Sequence, residues 1–181
     1  ANTAPSIASA AITPDPAVAA DTLTCSWSGF VDVDGDADAS TVAWTVNSAA
    51  AGTGPTLSSG FVGGDAVVCT VTPSDGSDTG APVSASLVIT NTAPSIDGVA
   101  IAPDPAYAGD DLTCSVTGFA DADGDADATT FAWTVNSAPA GSGAVLSTPL
   151  VRGDVAACVA TPSDGADSGL PLTATRTISN T

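Results

Sequence analysis

The chain contains no histidine, lysine, glutamate or methionine, and aromatic residues make up only 4% of its 181 positions. Without His, Lys or Glu, general acid and base chemistry would fall to Asp and to the single tyrosine, Tyr107. Paired aspartates can hydrolyse glycosides. In this chain, however, the acidic motif occurs twice, in the two copies of an internal repeat described below, and a motif present in every repeat is more typical of a structural role than of an active site. We therefore expect a protein that is not an enzyme.

Positive charge is almost absent as well. All 20 acidic residues are Asp, the basic residues are Arg152 and Arg176 alone, and the formal net charge is −18. A field of that sign excludes nucleic acid and anionic membranes as partners, because both are polyanions, and it leaves cations and cationic surfaces. The lack of lysine also excludes Lys–Asn isopeptide cross-links.

Long hydrophobic runs are missing too. No stretch approaches the roughly 18 apolar residues of a membrane-spanning helix, and no charged-then-apolar leader stands at the N-terminus. We expect this segment neither to insert into a membrane nor to carry its own secretion signal. A leader or an anchor would have to lie outside it.

The chain does contain an internal repeat at an offset of 89 residues. When positions 2–90 are aligned with 91–179, 54 of 89 residues are identical, and all nine Asp of the first copy recur in the second. Strand positions vary far more between the copies. We predict two tandem domains, 1–90 and 91–181, that are neighbouring repeats of one chain. Residues 179–181 begin a further repeat, so we expect a longer array.

The 18 Gly and 13 Pro predict short strands joined by tight turns. In the first copy, Ser6 to Thr13 and Thr56 to Val62 are predicted strands, and Ala49 to Pro55 is predicted as a turn or a short edge strand. Six or seven antiparallel strands per copy, with turns about every 8 to 12 residues, predict an all-β fold made of two tandem immunoglobulin-like β-sandwiches.

Each copy places a Cys, a Trp and a second Cys at alternating positions that face inward. Four cysteines allow three pairings, and independent repeats favour pairing within each copy. Pairing within a copy closes a loop of 44 residues, which stabilises the fold by roughly 4 kcal/mol on the chain-entropy model. Disulfides persist in oxidising compartments. The alternative is two buried free thiols per copy. The predicted disulfides are Cys25–Cys69 and Cys114–Cys158.

Further motifs carry a resemblance to a family. The order Asn-Thr-Ala-Pro, Pro-Asp-Pro, Asp-x-Asp-Gly-Asp, Trp-x-Val-Asn, Gly-Asp and Thr-Pro-Ser-Asp-Gly resembles the tandem immunoglobulin-like (cadherin-like or PKD-like) repeats of large bacterial surface proteins. The resemblance covers both copies. It implies an extracellular or cell-surface β-sandwich array that serves as a stalk, adhesin or matrix component. Many such repeats lack the two cysteines, so the disulfide rests on the pattern of the residues.

Four carboxylates within seven residues, in the stretch from Asp32 to Asp38, repel one another unless they bind a cation or face open water. Alternate Asp residues match the oxygen ligands and the spacing that Ca²⁺ accepts, although the loop is not an EF-hand. The alternative is a solvated acidic loop that only satisfies turn geometry. The candidate Ca²⁺ ligands are Asp32, Asp34, Asp36, Asp38 and Asp75, and in the second copy Asp121, Asp123, Asp125, Asp127 and Asp164.

In an immunoglobulin-like sandwich this loop, the last hairpin turn and the N-terminal lead-in share one end of the domain. We therefore expect the acidic loop of each copy to face the preceding domain, where Ca²⁺ would stiffen the joint. Two other motifs have simpler interpretations. Arg152-Gly153-Asp154 is predicted to be a strand-joining turn rather than an integrin-type site, and Trp27, whose counterpart is Val116, is predicted to be a core residue.

These observations predict a structural, non-enzymatic module of an extracellular protein. The alternative function is a carbohydrate- or protein-binding module, which would show an exposed aromatic side chain or a concave polar pocket. Lateral self-assembly into filaments through free sheet edges is a third hypothesis.

Overall fold

The computed structural model of the chain describes residues 1–180. All regular secondary structure in that range is β-strand, as the composition predicts. The chain divides into two compact units, the first spanning Ala1–Thr92 and the second starting at Ala93. Residues 1–180 include no helix with the length and hydrophobicity to cross a membrane. The predicted start of a further repeat includes Thr181, which lies outside the described residues.

The first unit is a sandwich of two sheets with the strand orders β1-β2-β5 and β4-β3-β6-β7. All of its neighbouring strands pair antiparallel. Its strands are β1 (Ser9–Thr13), β2 (Leu23–Ser28), β3 (Thr41–Val46), β4 (Ala49–Thr53), β5 (Thr56–Leu57), β6 (Ala66–Thr72) and β7 (Val83–Val88).

The second unit repeats this plan, with the orders β8-β10-β13 and β12-β11-β14-β15-β9. The expectation of antiparallel pairing throughout is wrong at the equivalent place in each repeat. In the second repeat, β9 runs parallel to β15, because the chain crosses to the other sheet after β8, and in the first repeat Val18 forms a parallel bridge with Thr90. The strands are β8 (Gly98–Ala102), β9 (Ala106–Tyr107), β10 (Leu112–Thr117), β11 (Thr130–Val135), β12 (Ala138–Ser142), β13 (Val145–Leu146), β14 (Val155–Thr161) and β15 (Leu172–Ser179).

The core of each sandwich follows the predicted alternation of side chains. On β6, every second residue is buried, and Cys69 lies opposite Trp44 of β3 in the antiparallel register. Trp44 and its counterpart Trp133 are each only 1% exposed. The indole N–H of Trp44 donates to the Gly54 carbonyl oxygen at 2.8 Å, so its one polar group is satisfied inside the core.

Two predicted strands are shorter in the structure than in the sequence pattern. The first begins at Ser9 instead of Ser6, although Ser6 still forms a bridge with Val31. The predicted strand from Thr56 to Val62 pairs only over Thr56–Leu57, after which the chain leaves the sheet. Phe61 remains 5% exposed, so this segment is held by packing on the core and not by a strand ladder.

Candidate functional site

The predicted disulfides are both present. Cys25 of β2 bonds Cys69 of β6, with 6.2 Å between their Cα atoms, and Cys114 of β10 bonds Cys158 of β14, with 6.4 Å. Residues 1–180 contain no free cysteine. Since β2 and β6 belong to different sheets, as do β10 and β14, each bond joins the two layers of one sandwich through its buried core.

The first Asp of each acidic loop closes that loop. One oxygen of Asp32, Oδ1, accepts the backbone N–H groups of Asp34 at 2.9 Å and Asp36 at 3.1 Å. In the second repeat, Asp121 Oδ1 accepts the N–H groups of Asp123 and Asp125 at the same distances. These contacts are Asx-type turns, in which an aspartate takes the place of a backbone acceptor.

The other oxygen of the same residue is placed differently. Asp32 Oδ2 and Asp121 Oδ2 are both buried and have no hydrogen-bond partner within residues 1–180. Most buried polar atoms in folded proteins do have a partner, because burying one alone costs free energy. The two repeats therefore share an unsatisfied carboxylate oxygen at the same loop position.

The acidic loop, the lead-in and the last hairpin turn meet at one end of the first repeat. The backbone N–H of Thr3 donates to Asp34 Oδ2 at 2.7 Å, and Ala39 N–H donates to the Ser74 carbonyl oxygen at 2.8 Å. The side-chain amide of Asn2 donates to Asp75 Oδ2 at 2.8 Å and to Asp78 Oδ2 at 2.9 Å. In the first repeat, Asn2 and Thr3 of the lead-in thus engage these carboxylates.

The second repeat brings the same segments together. Ser95 of the lead-in forms a bridge with Ala120, just before the acidic loop, and Ala128 N–H donates to the Ser163 carbonyl oxygen at 2.8 Å. Asp164 Oδ1 accepts the N–H groups of Ala166 at 2.7 Å and Asp167 at 2.6 Å. Asp164 therefore closes its own turn, as Asp75 does in the first repeat.

Asp78 is a member of this cluster that the sequence analysis missed. It shares the Asn2 amide with Asp75 and is repeated as Asp167. The signal was present in the sequence, since Asp75-Gly-Ser-Asp78 recurs as Asp164-Gly-Ala-Asp167.

The carboxylates do not converge on one point. Among residues 1–180, no group of three or more Asp or Cys side chains is arranged to hold a metal ion. Asp36 and Asp125 are exposed on their loops, whereas Asp123 is only 8% exposed. A cation at Asp32 or Asp121 would therefore depend on one or two carboxylates, with carbonyl oxygens and water completing its shell.

Asp38 accepts hydrogen bonds from a tryptophan ring and from the backbone. Its Oδ2 accepts the indole N–H of Trp27 at 2.9 Å, and its Oδ1 accepts the Ser40 N–H at 2.9 Å. Slight burial acts to raise the pKa of Asp38, but the nearby Ser40 hydroxyl and the hydrogen bonds from the Trp27 indole and the Ser40 backbone N–H outweigh it, so the pKa is lowered. Asp127 retains only the backbone contact, with Thr129 at 2.8 Å, because Val116 replaces the tryptophan.

Trp27 is less buried than the sequence analysis predicts. It is partly buried, packs against the margin of the core, and lines a groove of about 520 Å³ on the first repeat. Two further groove residues are aliphatic, one is proline, and the others are glycine, serine or threonine. The lining residues besides Trp27 are Ser40, Thr41, Val42, Ala43, Thr53, Gly54, Pro55 and Thr72.

The Arg152-Gly153-Asp154 tripeptide is a turn before β14, as predicted. Asp154 accepts the Val151 N–H at 2.9 Å through Oδ2 and the Asn136 side-chain amide at 2.8 Å through Oδ1. These two bonds, the Val151 contact being the stronger, lower the pKa of Asp154. Because both oxygens serve the turn, the tripeptide is a structural feature of this repeat.

The chain matches no known family profile. No curated protein matches its sequence either. Among solved structures, the chain is similar to a segment of two fibronectin type-III domains from chicken tenascin, with 12% sequence identity, a TM-score of 0.50, and coverage of 93% of this chain and 97% of that one. At this identity the likeness concerns the fold alone. With the two disulfides, the likeness shows a tandem immunoglobulin-like β-sandwich fold.

Proposed function

We propose that these repeats are a structural segment of an extracellular or cell-surface protein, and that they act as a spacer in a stalk, adhesin or fibre without catalysing a reaction. The main support is that each repeat has its own hydrophobic core and its own inter-sheet disulfide. A module complete in itself can be added or removed without disturbing its neighbours, which is what a length-setting array requires.

The two disulfides also support an extracellular location. Disulfides persist outside the reducing cytosol, and small domains with few aromatic residues gain much of their stability from them. An extracellular setting is thus part of the proposal. Alkylation before and after reduction tests it: protein taken directly from its native location should react with alkylating reagent at all four cysteines only after reduction.

Electron microscopy of the longest available array tests the spacer role. We expect thin particles whose length increases in proportion to the number of repeats. Arrays of different repeat number that give particles of equal length would contradict a spacer.

We also propose that the acidic loops bind Ca²⁺ weakly and that the ion stiffens the joint between neighbouring repeats. Support comes from the unsatisfied buried oxygens Asp32 Oδ2 and Asp121 Oδ2 and from the purely oxygen ligands nearby. Because no three carboxylates converge, the affinity expected is that of extracellular modules, with Kd on the order of 10⁻⁴ to 10⁻³ M.

Calorimetry with Ca²⁺ and with Mg²⁺ tests this second proposal. We expect heat of binding and a higher melting temperature with millimolar Ca²⁺ only, both lost in the double variant Asp32→Asn and Asp121→Asn. No heat at millimolar Ca²⁺, together with a melting temperature that chelator leaves unchanged, would rule the calcium proposal out.

A further inference from the structure

Trp27 is set apart from the other two tryptophans of the chain. Trp44 and Trp133 are fully buried, whereas Trp27 is partly exposed at the end of β2 and forms one wall of the groove. Its counterpart in the second repeat is Val116. The first repeat therefore presents to its groove an aromatic ring that the second repeat lacks at the equivalent position.

The ring is held in place by a charged partner. The Trp27 indole N–H donates to Asp38 Oδ2, and the Ser40 N–H holds the other oxygen of the same carboxylate. An indole that donates to an anion gains electron density on its ring faces, which strengthens the attraction of those faces for a cation.

The first repeat offers no cation of its own to this site. Residues 1–92 contain nine Asp and no Lys, Arg or His, and both arginines of the chain belong to the second repeat. A negative field with no internal counter-charge concentrates external cations and steers basic partners toward the surface. Tryptophan is the aromatic residue that binds cations best through its ring.

We propose that the groove beside Trp27 binds a lysine or arginine side chain of a basic partner protein. The ring face makes a cation–π contact, the Asp38 carboxylate supplies the opposite charge, and the small Ser, Thr, Gly and Pro residues leave room for the aliphatic stem. This role goes beyond that of a spacer, because it makes the first repeat a docking point and leaves the second without one.

The two repeats also provide a control that preserves packing. Trp27 and Val42 of the first repeat correspond to Val116 and Phe131 of the second, so the large aromatic side chain stands on β2 in the first repeat and on β11, in the other sheet, in the second. The double variant Trp27→Val and Val42→Phe places in the first repeat a pair that the same fold already accommodates. It should fold with a similar melting temperature while lacking the ring.

Nuclear magnetic resonance of the whole chain provides the test. The three indole N–H resonances are followed while the peptide acetyl-Gly-Lys-Gly-amide is added, and again with the neutral peptide in which norleucine replaces lysine. We expect the lysine peptide to shift the Trp27 resonance and not those of Trp44 or Trp133, with affinity about tenfold above that of the norleucine peptide. Asp38→Asn, or raising the salt concentration, should weaken binding severalfold.

Three results would overturn the proposal. The first is equal binding of the lysine and norleucine peptides, which would make the groove merely hydrophobic. The second is unchanged lysine binding both in the folded Trp27→Val and Val42→Phe variant and in Trp27→Val alone, which adds no aromatic ring at position 42 of the groove. That result would make the attraction a general effect of the acidic surface. The third is tighter binding of a neutral methyl glycoside than of the lysine peptide, which would identify a carbohydrate site.

Discussion

Individual aspartates in this protein act mainly as turn-closing acceptors. The Asp32 loop stands out in the sequence by its charge density, and in the structure one oxygen of Asp32 accepts two backbone N–H groups. This role could not be predicted in detail, because a metal ligand and an Asx turn favour the same residue at the same spacing. Only the unsatisfied second oxygen keeps the metal hypothesis open.

Asn47 is a second residue whose role became clear only in the structure. It occupies the hairpin turn between β3 and β4 with a φ of 49°, a conformation that asparagine tolerates better than most residues. Its side chain donates to Asp65 Oδ1 at 2.6 Å and accepts the Ala66 N–H at 3.0 Å. It therefore ties the hairpin to the turn that precedes β6.

Replacing Asn47 by alanine should destabilise the first repeat by roughly 2 kcal/mol. About half of that comes from the left-handed backbone conformation and about half from the lost hydrogen bonds. Asn47→Gly should lose only the contribution of the hydrogen bonds, because glycine adopts the left-handed conformation without strain. Urea unfolding of the two variants measures this, and equal losses for alanine and glycine would show that the backbone conformation contributes nothing.

The lowered pKa values of Asp75 and Asp154 predict a pH dependence of stability. Asp75 is stabilised as a carboxylate by the N–H groups of Asp78 and Ser77 and by the Asn2 amide, and Asp154 by Val151 and Asn136. A carboxyl group whose pKa is lower in the folded state stabilises the fold at neutral pH, and this stabilisation is lost as the pH falls through the range below about 4.

Carboxyl-detected titration by nuclear magnetic resonance should give midpoints for Asp75 and Asp154 below about 3.9, the ordinary value for aspartate. The stability of Asp154→Asn should also fall less steeply below pH 4 than that of the wild type. Midpoints at or above the ordinary value would show that these turn hydrogen bonds do not stabilise the charged form.

The strands were easier to predict than their ends. Alternation of buried and exposed residues placed β2, β3 and β6 correctly because their inward faces carry the cysteines and Trp44. The same pattern overextended β5, since Phe61 is buried without belonging to a strand. Burial alone does not distinguish a strand from a loop that packs on the core.

The edge strands β4 and β12 differ in a way that affects self-assembly. Every residue of β4 is exposed and none is proline, so its free backbone groups could pair with another chain, whereas Pro139 interrupts β12. Lateral assembly into filaments, if it occurs, should therefore start from the first repeat.

Ala50→Pro places in β4 the residue that β12 already carries at the equivalent position. We expect this variant to fold with stability within about 0.5 kcal/mol of the wild type, and to lose any self-association that analytical ultracentrifugation detects at high concentration. Self-association that persists unchanged in the variant would exclude β4 as the assembling edge.

The internal duplication makes much of the whole molecule predictable from its sequence. The offset of 89 residues, the disulfide pairing and the sandwich class could all be inferred from one sequence, because each pattern occurs twice. Differences between the copies carry the information on specific function. Trp27 and its counterpart Val116 are both partly buried, and the sequence alone could not show that the Trp27 ring lines a groove.

The central claim is that each repeat is an independent module whose two sheets are covalently linked by its own disulfide. Pulling single molecules from both ends tests it, since the 44-residue separation of the cysteines keeps the loop between them closed in the oxidised chain. We predict two unfolding events of similar length, each longer by about 150 Å after reduction. Equal lengths with and without reductant, or a single event for the whole chain, would contradict the account.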